Sequence, residues 1–182
     1  MTERPIIFND AMSRATRSGA KTETRRPLRK QIDVMAVPMP NLPRLADCPF
    51  GVPGDTLWVR EAWRPEHFGT SVEYRADGGA KWFDASAMRT SDYDAVVRWS
   101  KKLAGGLWAP SIHMPRWASR AVLDVLEVRV ERLQSMADED ALAEGFASRV
   151  AFINTWNEIY PAMTFEADPW VWVVRFKRQG GA

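Results

Sequence analysis

The stretch Ala121-Val122-Leu123-Asp124-Val125-Leu126-Glu127-Val128-Arg129-Val130-Glu131 decides the fold. Apolar and polar residues alternate along it, the pattern of a half-buried strand. The alternation slips once. Up to Val125 the inward positions are odd, and from Leu126 onward they are even. A one-residue slip inside a strand marks a β-bulge, which bends a sheet towards a barrel.

Working outward from this strand, Ser135 or Asp138 is expected to cap a short helix, Glu139 to Glu144, ended by Gly145. A second helix follows from about Ser148 to Tyr160. Phe152, Ile153, Trp156, Ile159 and Tyr160 form its apolar stripe, and Pro161 stops it. Trp170-Val171-Trp172-Val173-Val174-Arg175-Phe176-Lys177 reads as a closing strand buried largely on both faces. On the other side, Pro5-Ile6-Ile7-Phe8 is a short first strand. Asn9 or Asp10 then caps a helix to about Ser18, with Met12, Ala15 and Thr16 facing inward. Gly19 stands where a left-handed helix cap is needed.

Five prolines and no period mark residues 31–55 as a long loop. Thr56-Leu57-Trp58-Val59-Arg60-Glu61-Ala62-Trp63 alternates as a strand and places Glu61 on the same face as Leu57, Val59 and Trp63. Ser71–Ala76 is a further strand before the Asp77-Gly78-Gly79 turn. Residues 80–100 show little pattern, and Gly105–Trp117 is irregular and rich in Pro and Gly. The expected architecture is α+β: a small mixed β-barrel flanked by a few short helices, as one domain over residues 1–182.

Composition fits that picture, with 46% hydrophobic and 26% charged residues in 182. No apolar run is long enough to cross a bilayer, so no membrane partner is expected. The N-terminus lacks the pattern of a secretory signal, and Cys48 is the only cysteine, which together suit a cytoplasmic protein. The net charge of +2 is unevenly spread. Residues 14–30 hold seven cations against one acid, a charge of +6, which leaves 18 cations against 22 acids elsewhere, or −4. A local basic patch on an acidic body suits an anionic or nucleotide-like ligand, although a solvated helix end would give the same count. The nine tryptophans serve mainly the core, with one or two free to stack on a base.

Phosphate loops, serine elbows and CxxC pairs are all absent. His67 and His113 stand 46 positions apart and, with one cysteine, make a poor metal site; no metal and no cofactor are expected.

Gly19-Ala20-Lys21-Thr22-Glu23-Thr24-Arg25-Arg26 resembles the G-x-K-T-x-T-x-R signature of ASCH domains, which belong to the PUA-like β-barrels. The likeness continues in Gly54-Asp55-x-Leu57-Trp58-Val59-Arg60-Glu61, in Trp108-x-Pro110-Ser111-x-His113-Met114-Pro115-Arg116-Trp117, in Ala141-x-Ala143-Glu144-Gly145 and in Pro169–Val173. It spans nearly the whole chain and is closest to the phage and prophage branch. The resemblance implies an amidohydrolase that removes acyl groups from the exocyclic N4 of cytosine nucleosides or nucleotides, N4-acetylcytidine above all. It carries a catalytic Lys onto Lys21, a Thr onto Thr24 and a Glu onto Glu144, with Glu61 as the rival carboxylate. Substrate-binding roles are expected for Arg25, Arg26, Trp58, Glu61, Trp63, His113 and Arg116. Arg25, Arg26 and Arg60 could equally be surface charges, and the tryptophans core. The small enzymes of the family lack both the proline loop and the Trp108–Trp117 segment.

The chemistry needs a nucleophile, an oxyanion stabiliser and a proton for the leaving amine. Thr24 supplies a hydroxyl. Lys21 could act as its base only if neutral, which would take about 4 kcal/mol of environment. Alternatively Lys21 stays charged as oxyanion partner while Glu144 moves the protons. The competing expectations are an RNA or modified-base binding module and a ribonuclease. Expected partners are a small nucleoside or nucleotide and RNA, for a monomer or weak homodimer.

Overall fold

The computed structural model describes residues 1–31, 47–66, 71–83, 88–103 and 106–180. Its elements follow in order as β1 (Glu3–Ile7), α1 (Asp10–Ser18), β2 (Glu23–Pro27), β3 (Thr56–Arg60), β4 (Trp63–Glu66), β5 (Ser71–Tyr74) and β6 (Ala80–Trp82). Then come α2 (Thr90–Lys102), β7 (Val122–Arg132), α3 (Asp138–Ala143), α4 (Arg149–Ile159) and β8 (Trp170–Arg178). The α+β class holds, but the barrel does not. Among the described residues there is one sheet in the order β1-β3-β7-β8-β2 and a second in the order β4-β5-β6. Closure would require β1 to pair with β2, and the outer edge of β2 is already occupied by the end of α3, as shown below.

The bulge lies where the alternation slips. β7 pairs with β8 from Leu123↔Arg178 to Val125↔Phe176 and resumes at Glu127↔Arg175, leaving Leu126 as the extra, exposed residue. Helix α1 begins after Asn9, whose Oδ1 accepts the Met12 N–H at 2.8 Å, and ends at Gly19 with φ +81°. Ser148 Oγ accepts the Ala151 N–H and caps α4. Three details depart from expectation. Neither Ser135 nor Asp138 caps α3: Ala137 stands at the cap, and its N–H donates to the Asp140 carboxylate at 2.8 Å. Ile159 is 45% exposed rather than part of the α4 stripe. The strand expected over 56–63 breaks after Arg60 and restarts as β4, and the weakly patterned 80–100 region supplies β6 and most of α2. Most of the long loop, residues 32–46, lies outside the described residues, as do His67 and Gly105.

The chain packs as two compact units. The first, residues 1–4, 15–57 and 123–182, has its core where Leu133, Met136, Ala141, Phe152, Trp156, Val171 and Val173 meet under α3 and α4. The second, residues 5–14 and 58–122, is centred on Trp63, Val72, Tyr74, Ala109, Met114 and Ala118. No helix among the described residues is long and apolar enough to cross a membrane.

Candidate active site

Strand β2 is an edge strand, so every second backbone N–H and C=O along it faces away from β8. The first unit answers those groups with the end of α3. Thr22 donates its N–H to Ala143 O at 2.8 Å, and Arg25 donates its N–H to Glu144 Oε1 at 2.5 Å. Lys21 spends all three ammonium protons here: on Glu23 O at 2.8 Å, on Glu144 O at 2.9 Å and on Glu144 Oε2 at 2.5 Å. Lys21 and Glu144, 123 positions apart in sequence, are each 2% exposed. Gly145 makes the approach possible, because it sits at φ +85° and a Cβ there would meet Ala15 Cβ at 2.8 Å and Lys21 Cβ at 3.1 Å.

Burial pulls the Lys21 ammonium below its ordinary value; the charge and hydrogen bond of Glu144 oppose this, and Arg26 and Arg25 reinforce it. Lys21 and Glu144 are thus a buried amine and a buried carboxylate in direct contact.

Around it runs an ion network that explains Arg25. Glu23 and Arg25 share one face of β2, two residues apart. Arg25 Nη1 donates to Glu23 Oε1 at 2.6 Å, and Nη2 to Glu131 Oε1 at 2.9 Å and Asp140 Oδ2 at 3.0 Å. Arg129 bridges the same acids, at 3.1 Å from Glu23 Oε2 and 3.1 Å from Glu131 Oε2. The register makes this inevitable: Arg25, Val173 and Arg129 lie in one row across β2, β8 and β7, and the small valine leaves the two guanidinia room to share acids. Two cations of the basic patch, Lys21 and Arg25, are thus internal, while Arg14, Arg29 and Lys30 are exposed. Lys21 and Arg25 do not form an exposed cationic surface, because each is buried against carboxylates.

Thr24 projects from the opposite face of β2. Its cross-strand partner is Val174, which in turn faces Val128, and all three are buried. Its Oγ1 is enclosed and has no hydrogen-bond partner. The structure thus joins Lys21 to Glu144 but gives Thr24 Oγ1 no hydrogen bond to either.

A cleft of about 460 Å³ opens beside the pair, lined by Arg17, Gly19, Lys21, Thr22, Leu126 and the run Arg175–Arg178 among others. Its lining contains five cations and no acid. Arg26 is half-buried and donates from Nη1 to Arg25 O at 3.2 Å.

The remaining expected residues belong to the second unit. Glu61 is 1% exposed and clasped by Arg120, with both contacts at 2.8 Å; Arg120 also stacks on Tyr74 at 3.8 Å and reaches Asp77 at 3.0 Å. Trp63 is fully buried, edge-on to Trp99 and Trp117 at 6.1 and 6.4 Å between ring centroids. His113 is exposed, with its ring 5.1 Å from Trp99. Trp58 is 7% exposed and lies under the guanidinia of Arg60, at 4.5 Å, and Arg116, at 5.9 Å. Glu23, Arg129, Glu131 and Asp140 were not anticipated. Their one sequence signal is the alternation of opposite charges at i and i+2, in Glu23-x-Arg25 and Arg129-x-Glu131. Among the described residues no group of three or more His, Cys, Asp or Glu is placed to hold a metal ion.

No family model matches this chain, and no curated protein does. A solved structure, protein EF3133 from Enterococcus faecalis V583, described under the family model DUF984, aligns over 98% of this chain and 80% of its own at 9% identity, with a TM-score of 0.44. At that TM-score the likeness carries no argument about fold or function.

Proposed function

We propose that this protein is an amidohydrolase acting on N4-acylated cytosine nucleosides or nucleotides, and that its kinship is with the PUA-like ASCH domains that its motifs resemble. The observation that carries the reading is the buried contact of Lys21 with Glu144, two residues singled out from separate motifs and held 2.5 Å apart. The enclosed, unpartnered Thr24 hydroxyl two residues before Arg26 is the second support.

In this reading Thr24 Oγ1, or a water it positions, attacks the acyl carbon, and its proton passes to the Lys21–Glu144 pair. The Lys21 ammonium stabilises the oxyanion. The proton returns to N4 as the C–N bond breaks, releasing cytidine and the carboxylic acid; an acyl-threonine, if formed, is cleared by water. Substrate must bridge Thr24 to the pair, since no protein hydrogen bond does so.

Incubation of the purified chain with a panel of N4-acylcytosines, with products identified by mass spectrometry, tests the proposal. Release of cytidine is expected, abolished in Lys21→Ala, Thr24→Ala and Glu144→Ala. Full activity in all three would sink it.

One observation favours a second reading, a module that binds RNA or a modified base. The acid-free lining of the cleft suits an anion. That reading expects salt-dependent binding of oligonucleotides without turnover, whereas a ribonuclease would leave cleaved RNA in the same assay.

A further inference from the structure

Glu144 is delivered to Lys21 by a helix with little of its own to hold it. Helix α3 has six residues, a length at which backbone hydrogen bonds alone do not sustain a helix in water. Its own packing is slight. Ala141 is its one buried residue, and Leu142 beside it is 56% exposed. A single methyl group in the core does not fix how a helix is turned about its axis, yet that rotation decides where a side chain at its end points.

Asp140 supplies the missing constraint. It stands four positions before Glu144, one turn back and on the same face. Two carboxylates at that spacing repel each other. Arg25 reverses the balance by meeting both: Nη2 donates to Asp140 Oδ2 at 3.0 Å, and Nη1 stands 3.8 Å from Glu144 Oε1. The same Asp140 oxygen accepts the Ala137 N–H at 2.8 Å, and the Asp140 carbonyl accepts the Glu144 N–H at 2.8 Å. Asp140 thus connects the start of α3, a buried guanidinium and the residue that carries the carboxylate. Arg25 is in turn steadied by Glu23 of β2 at 2.6 Å and Glu131 of β7 at 2.9 Å. What Asp140 grips therefore belongs to the sheet and not to the helix.

We propose that Asp140 is a positioning residue for Glu144: by gripping Arg25 it sets the rotation of α3 and holds the Glu144 carboxylate against Lys21. The inference rests on the amidohydrolase reading for its effect on turnover, and on geometry alone for its effect on the place of Glu144. Arg25, with a side chain that is 0% exposed, then serves Glu144 and does not meet substrate.

Two measurements on the full chain test it. The first is amide exchange followed by NMR. The Thr22 N–H bonds to Ala143 O and the Arg25 N–H to Glu144 Oε1, so both report whether the end of α3 is in place. The Leu28 N–H bonds to Trp170 O and reports opening of the sheet instead. In Asp140→Ala, and less strongly in Asp140→Asn, exchange at Thr22 and Arg25 is expected to quicken about tenfold relative to Leu28. General destabilisation would quicken all three alike.

The second measurement is turnover of N4-acetylcytidine. In Asp140→Ala, kcat is expected to fall about tenfold or more, with KM changed by less than about twofold. Glu131→Gln is the control, because it takes a carboxylate from the same guanidinium without touching α3. It should leave both readouts near those of the parent. Exchange at Thr22 and Arg25 that keeps step with Leu28, equal effects of Glu131→Gln and Asp140→Ala, or an Asp140→Ala variant with the parent's kcat would each overturn the proposal. A parent without turnover would sink the amidohydrolase reading alone, and amide exchange would then decide whether Asp140 holds Glu144.

Discussion

Glu144 and Glu61 are both almost completely buried and both paired with a cation, yet the two pairs are built differently. Glu61 receives the planar fork of Arg120 through two equal contacts, and that arginine is further fixed by Tyr74 and Asp77. A guanidinium offers a rigid two-point fork of this kind, and an ammonium does not. Glu144 receives the ammonium of Lys21, whose remaining protons go to backbone carbonyls and whose proton affinity is lowered by burial. Burial and pairing alone do not distinguish a site from a strut. If the first pair is the proposed catalytic one, the chemistry of the cation is what sets it apart.

The largest expected effect comes from removing one half of the titratable pair. Glu144→Ala leaves an ammonium and the Arg25 N–H buried without an anion, at a cost of about 3–5 kcal/mol measured by urea unfolding. The double variant Lys21→Met/Glu144→Met should recover much of that loss. A single variant as stable as the parent would show that the pair does not hold α3 to β2. Lys21→Arg then tests the contrast directly, since it keeps the charge and removes the titration. If turnover depends on a lysine that exchanges protons, the rate on N4-acetylcytidine per folded molecule falls by about 100-fold or more. An arginine variant as active as the parent would erase the distinction between the two pairs. In the other unit, Arg120→Lys exchanges a two-point contact for one, with an expected loss of about 1.5–3 kcal/mol by thermal melting.

Much of this frame was legible because it is written in local periods. The slip at Leu126, the cap offered at Asn9 or Asp10, the helix start near Ser148 and the left-handed Gly19 each depend on residues within one element. The open sheet was not legible, because closure depends on what meets β2 across more than a hundred residues. The burial of Lys21 and Arg25 within the basic patch was not legible for the same reason. A count of charges over 14–30 cannot see that Asp140, Glu131 and Glu144 converge on Arg25 and Lys21. The Lys21–Glu144 pairing was legible only through the motif resemblance.

Two smaller effects refine the comparison. The folded-state affinity of Lys21 for its proton lies below the ordinary value of 10.5, so between the two values the unfolded chain holds more protons than the folded one. Stability should therefore rise with pH across that window, relative to Lys21→Met measured alongside by urea unfolding. A difference that falls with pH instead would mean that Glu144 outweighs burial. The smallest change in stability belongs to Thr24→Val. Its hydroxyl has no partner to lose and lies opposite Val174, so the cost stays within about 1 kcal/mol by thermal melting, while turnover is lost.

The seal that α3 places on the outer edge of β2 has a colloidal consequence. A bare strand edge is a template on which another chain can add a strand, and such addition propagates from molecule to molecule. Glu144, Lys21 and Ala143 occupy the donors and acceptors that a second copy would use. A variant lacking Glu144 therefore exposes an adhesive edge as well as losing a carboxylate, and its solutions should scatter light more strongly as concentration rises. The residues proposed as chemical machinery would also keep neighbouring molecules apart.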